Sequence, residues 1–464
     1  MEHSIVKIKQ VLLLIVDYAL MGGGLALTLL LRYGPDNFPK QWSVHVWPFG
    51  LVFFVWLIIF FINGLYDLRL ARNNVNFFRR FSEALIISAL LSVGFFYLAP
   101  GVLIAPKTNL LISLGIFTFL FVLWRINFNA LVARAVLKTR LLFIGRTPEV
   151  DELIQLFENM PQLGYEVTAI VDPEKKSPEG MMGKISIYHS LTTIRPAVNE
   201  HDAALVVLSP HIAGAFELQR ELYELLFWKV GMMDLTSFYE LITGRVPTSA
   251  FTESWFLENL QESRKRFYDL IRIIVDYALA LALGALTFAL LLPIAAAIRL
   301  ESPGPILFKQ KRVGRLGKIF TIYKFRSMRA LSADGSAEIG AAQFAESRDE
   351  RVTRVGRVLR ALRLDELPQV WNILGGEMSF IGPRPERPEF VDQVKTSIPF
   401  FNVRHLVKPG MTGWAQINFT YTSTLEQLMT KLQYDVYYIK HRSFMLDAAI
   451  LLKTVAVVVR KMGR

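Results

Sequence analysis

The sequence predicts a membrane protein of the α plus α/β class. A four-helix transmembrane bundle comes first, then a small parallel α/β domain. The C-terminal domain is built on a re-entrant membrane helix and amphipathic helices. Three observations predict this order. Four long apolar runs fill the first third of the chain, strand-like and helix-like segments then alternate, and a fifth apolar run containing Pro293 carries basic residues at both ends. Composition agrees: 52% of the 464 residues are hydrophobic and the net charge is +12. Such a charge suits an anionic lipid surface, a nucleic acid or a phosphorylated substrate. There is no cysteine, which excludes disulfides, thiolate metal sites and cysteine nucleophiles.

The four apolar runs lie near 11–31, 46–66, 82–104 and 109–132. Each approaches or exceeds the roughly 20 residues a helix needs to cross a bilayer. The first lacks a small-residue cleavage site and three similar runs follow it, so it reads as a helix and not a cleaved signal. Basic residues set the orientation. Arg69, Arg72, Arg79 and Arg80 follow the second run and Arg134, Lys138 and Arg140 follow the fourth, whereas the third loop has only Lys107. Both ends of the bundle, residues 1–138, are therefore expected in the cytoplasm.

Residues 139–245 change texture. TRLLFIGR at 139–146, YEVTAIVD at 165–172, DAALVVLSP at 202–210 and GMMDLTS at 231–237 read as strands, with helical patterns at 148–160 and 213–230 between them. This alternation predicts a Rossmann-like α/β domain. A dinucleotide fingerprint needs several glycines in the first strand–helix turn, but GRTPEV offers only Gly145. A scaffold or dimerisation role is the expectation, and a homodimer follows from it.

A linker is expected at 246–266, before a C-terminal domain at 267–464. The apolar stretch that opens this domain, 267–300, is preceded by Arg264, Lys265 and Arg266 and followed by Lys309, Lys311 and Arg312, with Arg272 and Arg299 near its two ends. A single crossing cannot leave both flanks in the cytoplasm. Pro293 removes a backbone donor and crowds the preceding turn, so a helix that enters, bends there and returns is expected.

The chemistry is expected after this helix. Residues 308–329, FKQKRVGRLGKIFTIYKFRSMR, hold eight Lys or Arg and no acid. With an apolar hairpin nearby, membrane lipids and a polyanionic small molecule are better partners than a nucleic acid. Residues 332–350 read as a mobile loop. Arginines then recur at 351, 354, 357, 360 and 363, followed by Asp365 and Glu366. Steps of three drift by about 60° on a helix, so only Arg360 and Arg363 are expected near the acids. A carboxylate among arginines stays ionised, and it can attack phosphorus or hold Mg²⁺. Lys324, Arg360 and Arg384 would neutralise a diphosphate, with Pro383 and Pro385 fixing Arg384.

The residues LDELPQVWNILGGEMSFIGPRPE, preceded by IYKFRSM and followed by KPGMTGWAQIN and YDVYYIKHRSFMLDAAILLKT, resemble the bacterial sugar transferase family, the monotopic polyprenyl-phosphate phosphoglycosyl transferases. The resemblance covers roughly 267–464, and the preceding membrane and α/β segments are similar to those of its large members. It implies transfer of a sugar-1-phosphate from a UDP-sugar to undecaprenyl phosphate at the cytoplasmic face of the bacterial inner membrane. UMP leaves, and polymer synthesis begins as in exopolysaccharide or O-antigen pathways. It further implies Asp365 as nucleophile forming a covalent phosphosugar, Glu366 with Asp365 at Mg²⁺, and Lys324, Arg326, Arg360, Arg363 and Arg384 at substrate phosphates. The family's helix break is a Ser-Pro pair, where this chain has Leu292-Pro293.

Plainer expectations attach to other residues. Asp435 and Tyr437 read as packing or support, and Trp414 and Gln416 as lining the pocket or shaping the fold. His405 and His441 read as structural, and 443–463 as an amphipathic helix on the membrane. A non-catalytic scaffold for polysaccharide enzymes is the alternative function, and a glycosyltransferase releasing UDP is a third.

Overall fold

The computed structural model describes residues 3–98, 107–132, 138–176, 178, 180–212, 216–228, 230–260, 265–332, 334–335, 351–419 and 424–459. Arg134, Arg264, Arg460, Lys461 and residues 336–350 of the expected loop lie outside them. The chain folds as two compact units, Met1–Ile242 and Thr243–Arg464.

In the first unit, α1 (His3–Ile62) joins the first two apolar runs. Its one non-helical residue is Gly34, at φ 77° and ψ 168°, just before Pro35. Positive φ favours glycine, and the chain reverses here. A Cβ on Gly50 would stand 3.7 Å from the Tyr18 hydroxyl, and these two residues are equally far from Gly34. The two arms of α1 with α2 (Val75–Leu98) and α3 (Lys107–Val132) make the four-helix membrane bundle. Aromatic rings fill it, Phe81 stacked on Phe121 with Phe60 edge-on and Phe117 tilted against the same ring. Trp56 donates to Ser92 across it at 2.9 Å, and Arg125 and Asp17 form a fully buried ion pair at 2.6 Å.

The α/β domain follows. Its elements are β1 (Thr139–Ile144), α4 (Pro148–Asn159), β2 (Tyr165–Val171), β3 (Gly180–Met182), β4 (Ile185–Tyr188), α5 (Ile194–Glu200), β5 (Leu205–Leu208), α6 (Phe216–Leu225), β6 (Gly231–Asp234) and α7 (Leu235–Thr243). The sheet order is β3-β4-β2-β1-β5-β6, parallel except for the β3–β4 hairpin. Central β1 is buried on both faces: Leu141 and Phe143 enter one core, Leu142 and Ile144 the other. At its end Gly145 has φ 89°, and a Cβ there would meet Ile212 at 2.5 Å. Ser209 donates to the Gly145 carbonyl at 3.1 Å, so Ser209 and Ile212 wall the turn where a dinucleotide fold would place its glycines. Lys9 donates to the Leu163 carbonyl at 3.1 Å and Gln162 to that of Leu68 at 3.3 Å. These bonds and one shared apolar core make bundle and α/β domain a single unit.

The second unit starts before the expected boundary. The Val246 amide donates to the Gln433 carbonyl at 3.2 Å, and Trp414 donates to Gly244 at 2.7 Å. Val246 shares a core with Leu432 and Val436. The segment read as a linker is thus packed, and it holds α8 (Glu253–Asn259).

The fifth apolar run is α9 (Arg266–Glu301), helical throughout, Pro293 included. The expected interruption is therefore not a break in helical conformation. Thr287 donates to the Leu283 carbonyl at 2.7 Å, six residues before the Ala289 carbonyl that Pro293 leaves unbonded. Both ends are tied to the same unit. Near the start, Arg272 donates to Ser379 at 2.8 Å and to the Ile381 carbonyl, and Asp276 accepts from the Phe380 amide at 3.1 Å. At the other end Arg326 donates to the carbonyls of Ser302 and Pro303 at 2.6 and 2.7 Å. Between them Ala280, Ile294 and Ile298 pack inward, while Phe288 and Leu292, each 79% exposed, face outward.

The antiparallel hairpin β7 (Leu307–Val313) and β8 (Ile319–Phe325) follows. After it come α10 (Arg354–Ala361), a 3-10 turn at Leu364–Gln369, α11 (Val370–Leu374), β9 (Ser379–Ile381), α12 (Pro388–Ser397), β10 (Gly410–Thr412), α13 (Trp414–Asn418), α14 (Leu425–His441) and α15 (Phe444–Val459). Strand β9 pairs with β10 in parallel. On α15, Asp447 is buried and accepts from Tyr268 at 2.5 Å and from Tyr438 at 3.0 Å, which pins α9 and α14 together.

Candidate active site

Asp365 and Glu366 lie on the 3-10 turn, not on an α-helix. Helix α10 stops because Arg363 takes a left-handed conformation, φ 58° and ψ 18°, costly for a residue with a Cβ. A 3-10 turn advances about 120° per residue, so the two acids diverge, and both are buried. Their surroundings differ. Glu366 Oε1 is 2.9 Å from Lys324 Nζ and 3.7 Å from Arg384, and Oε2 is 3.6 Å from Arg363. Asp365 Oδ1 is buried with no hydrogen-bond partner. Burial and then the Glu366 charge push the Asp365 carboxyl up, against the pull of Lys324, Arg360 and Arg363. Burial opposes ionisation of Glu366 too, but Lys324, Arg384 and Arg363 outweigh it and hold that carboxyl well below the usual range.

The strand pleat aims Lys324. Residues 320, 322 and 324 share one face of β8; Phe320 and Ile322 enter the core, and Lys324 meets Glu366. Asn372 locks the turn to this strand. Its Oδ1 accepts from the Tyr323 amide at 3.2 Å, and its Nδ2 donates to the Thr321 carbonyl at 2.7 Å. Arg360 donates to Ser327 Oγ at 2.8 Å. That contact depends on Gly356, where a Cβ would sit 1.9 Å from the Ser327 carbonyl oxygen. Arg326 corrects the expectation of a phosphate ligand. It is 2% exposed, and its two Nη groups donate to the carbonyls and hydroxyl at the end of α9. It caps that helix.

Arg384 sits in the stiff turn Gly382-Pro383-Arg384-Pro385. Arg404, itself buried, donates to the Arg384 carbonyl at 3.1 Å and to Asp435 at 2.8 Å. Glu386 accepts from Lys431 at 2.6 Å and lies 3.6 Å from Arg404. Against burial, Lys431 and Arg404 hold the Glu386 carboxyl far down. Asp435 of the YDVYYIK stretch thus supports the turn through Arg404. Neither Arg404 nor Asn372 nor Ser327 stands out in the sequence. The bonds that tie them to Arg384, Arg360 and Thr321 span 20, 33 and 51 residues, so no local spacing marks them.

A hollow of about 430 Å³ lies at the hairpin tip, lined by Val313, Ile319, Val391, Lys395 and His405 among others. Five residues of β8 separate Ile319 from Lys324, about 17 Å at a strand's rise. That exceeds the reach from a nucleotide's phosphates to its base, so the hollow is separate from the acid pair.

The arrangement offers one carboxylate oxygen without a partner beside several cations, which suits a phosphoryl group. Among the described residues no three His, Cys, Asp or Glu converge. Mg²⁺ does not need such a cluster, being held by one or two carboxylates plus substrate phosphates. Asp365 and Glu366 fit that pattern.

Comparison with known proteins bears on this site directly. The profile of the Bacterial sugar transferase family matches residues 267–461. The chain is 41% identical over 224 residues to an Aeromonas hydrophila UDP-N-acetylgalactosamine-undecaprenyl-phosphate N-acetylgalactosaminephosphotransferase, covering 48% of this chain and 51% of that one. It is 38% identical over 193 residues to a Xanthomonas campestris pv. campestris UDP-glucose:undecaprenyl-phosphate glucose-1-phosphate transferase, covering 41% and 39%. The chain thus spans about half, or less, of the length of these two relatives. A Klebsiella pneumoniae UDP-glucose:undecaprenyl-phosphate glucose-1-phosphate transferase matches more widely, 30% identical over 332 residues, 68% of this chain and 67% of that one. The acid pair, its cations and the Gly-Pro-Arg-Pro turn all fall within the profile's span, and the chain is a member of the bacterial sugar transferase family.

Proposed function

We propose that the protein transfers a sugar-1-phosphate from a UDP-sugar to undecaprenyl phosphate through a covalent intermediate on Asp365. The observation that carries this reading is the contrast between the acids. Glu366 is engaged by Lys324, Arg363 and Arg384, while Asp365 keeps an unpartnered oxygen. Only the second has an electron pair ready for phosphorus. An Asp365 oxygen attacks the phosphorus that carries the sugar, the bond from that phosphorus to the bridging oxygen breaks, and UMP leaves. A phosphate oxygen of undecaprenyl phosphate then attacks the same phosphorus, and the bond to Asp365 breaks. The carboxylate is restored and undecaprenyl-diphosphate-sugar is released.

Lys324, Arg363 and Arg384 would neutralise the diphosphate in both steps. Asp365 and Glu366 with substrate phosphates would hold Mg²⁺, which when bound supplies further charge neutralisation. Relatives named for glucose and for N-acetylgalactosamine support a hexose donor and do not choose between the two. The basic flanks of the apolar helices support an inner-membrane protein with this unit in the cytoplasm.

Asp365→Asn decides the matter. With labelled UDP-sugar, the wild type should acquire label and release UMP, and the variant should do neither. An Asp365→Asn variant that retains full UMP release would sink the proposal. Release of UDP by the wild type would point to transfer of the sugar alone.

A further inference from the structure

We propose that Glu301, the last residue of α9, is a positioning residue for the acid turn: its carboxylate fixes where α10, and the turn that α10 leads into, stands against the membrane-embedded helix. This rests on the reaction proposed above.

Glu301 accepts from the Arg354 amide at 2.6 Å through Oε1 and from the Val355 amide at 2.8 Å through Oε2. These are the first two amides of α10, which have no partner within a helix. The next two are met locally. Gly356 donates to Thr353 Oγ1 at 2.9 Å, and Arg357 to the Thr353 carbonyl at 2.9 Å. Glu301 and Arg354 are both exposed, so water would meet the first two amides if the carboxylate did not. A negative charge suits the start of a helix, but this one comes from 53 residues upstream. What it adds is location.

The end of α9 is a fixed point. Arg326 holds the carbonyls of Ser302 and Pro303, and the next residue, Ser327, holds α10. The Ser327 carbonyl accepts from the Thr353 amide at 3.2 Å, and its hydroxyl accepts from Arg360 at 2.8 Å. Adjacent residues thus grip the two helices, and Glu301 closes the joint.

At its other end α10 runs into the acid turn through continuous backbone bonds. The Leu362 amide donates to the Val358 carbonyl at 3.1 Å, Arg363 to Arg360 at 3.2 Å and Glu366 to Arg363 at 3.3 Å. Leu359 of α10 and Leu367 of the turn share one core with Ile294 and Ile298 of α9. The eight residues of α10 make a lever about 12 Å long, with Glu301 at one end and Asp365 beyond the other. Lys324 and Arg384 reach Glu366 from elements that Glu301 does not touch. Loosening α10 therefore displaces the nucleophile relative to cations that hold the donor's diphosphate.

The test uses the full chain in detergent with Mg²⁺ and no acceptor, and reads how fast saturating labelled UDP-sugar labels the protein. The donor is whichever of UDP-glucose and UDP-N-acetylgalactosamine labels the wild type. Glu301→Ala should label about tenfold more slowly, while the donor concentration giving half the maximal rate stays within twofold. Glu301→Gln keeps one acceptor and should fall between, and it decides the matter if the alanine variant does not fold. Thr252→Ala is the control for stability. It removes a hydroxyl that caps α8 in the same unit, accepting from the Trp255 amide at 3.3 Å. Loss of either cap should lower the melting temperature, but Thr252→Ala should label at the wild-type rate. A rate within twofold of wild type in the deciding Glu301 variant overturns the inference and leaves the reaction standing. So does an equal slowing of Thr252→Ala, which would make Glu301 a plain cap. A wild type labelled by neither donor removes the reaction and this inference together.

Discussion

One imidazole ties the pH response of the second unit to its buried ions. Burial first, and then Arg404 beside it, push His405 down from 6.5 to about 4, against the opposing pull of Glu386. With the folded pKa lowered, the unfolded chain takes up the proton first as pH falls. The stabilisation from neutral His405 is therefore complete above about 6.5 and is lost as pH falls toward 4. Melting temperature in detergent should drop between pH 7 and pH 4.5, and His405→Asn should flatten part of that drop. Identical pH profiles for wild type and variant would refute the assignment. At this scale the sequence was legible where residues act near their neighbours in the chain. Arg363 pairs with Glu366 one turn along, and the fold brings Lys324 and Arg384 to the same carboxylate. It was not legible for Arg326, because a basic residue in a basic segment looks the same whether it meets phosphate or caps a helix. Its partners, backbone carbonyls at 298–303, have no sequence signature.

The elements show why glycine-rich motifs surround the site. Helix α9 was legible from its apolar length, but hairpin β7–β8 was not, since its cationic composition masks the alternation of Phe320 and Ile322. Nor was the pairing of β9 with β10, where two three-residue strands carry too short a pattern to read. Their contact rests on glycines that tolerate no side chain. Gly413→Ala places a Cβ 2.1 Å from a carbonyl oxygen, and the backbone on one side must yield. Overpacking of this kind costs about 1–3 kcal/mol. The variant should melt earlier, and its UMP release should fall because the turn that carries Arg384 begins at this contact. Gly284→Ala is the matched control. It lies within α9, and a Cβ there meets only a Val370 methyl at an ordinary 3.9 Å. Alanine is the better helix former, so this variant should match or exceed wild-type stability. If Gly413→Ala melts no earlier than Gly284→Ala, the close backbone contact does not hold the turn.

The whole molecule combines two ways of meeting a bilayer. The bundle folds back at Gly34 and hides a charge pair, Asp17 with Arg125, among aromatic rings. Buried ionic groups in such a setting need a partner, and no local pattern predicts the pairing of residues 108 positions apart. By length and composition α9 could also cross, like the helices of the bundle. Its packing argues for a different course. Arg272 near one end and Ser302 just beyond the other are bonded to the same folded unit. A straight crossing would require that unit to have parts on both sides of the membrane. We therefore expect the segments flanking α9 to share one face. The absence of cysteine makes this directly measurable, since any introduced thiol is the only one. Leu257 before α9 and Leu331 after it are 76% and 58% exposed, and replacing either leaves the acid pair and its cations untouched. Leu257→Cys and Leu331→Cys should both react with a membrane-impermeant maleimide in inverted inner-membrane vesicles, and neither should react in intact spheroplasts. Labelling of the two from opposite faces would make α9 a spanning helix, divide the acid pair's own unit across the bilayer and overturn this reading.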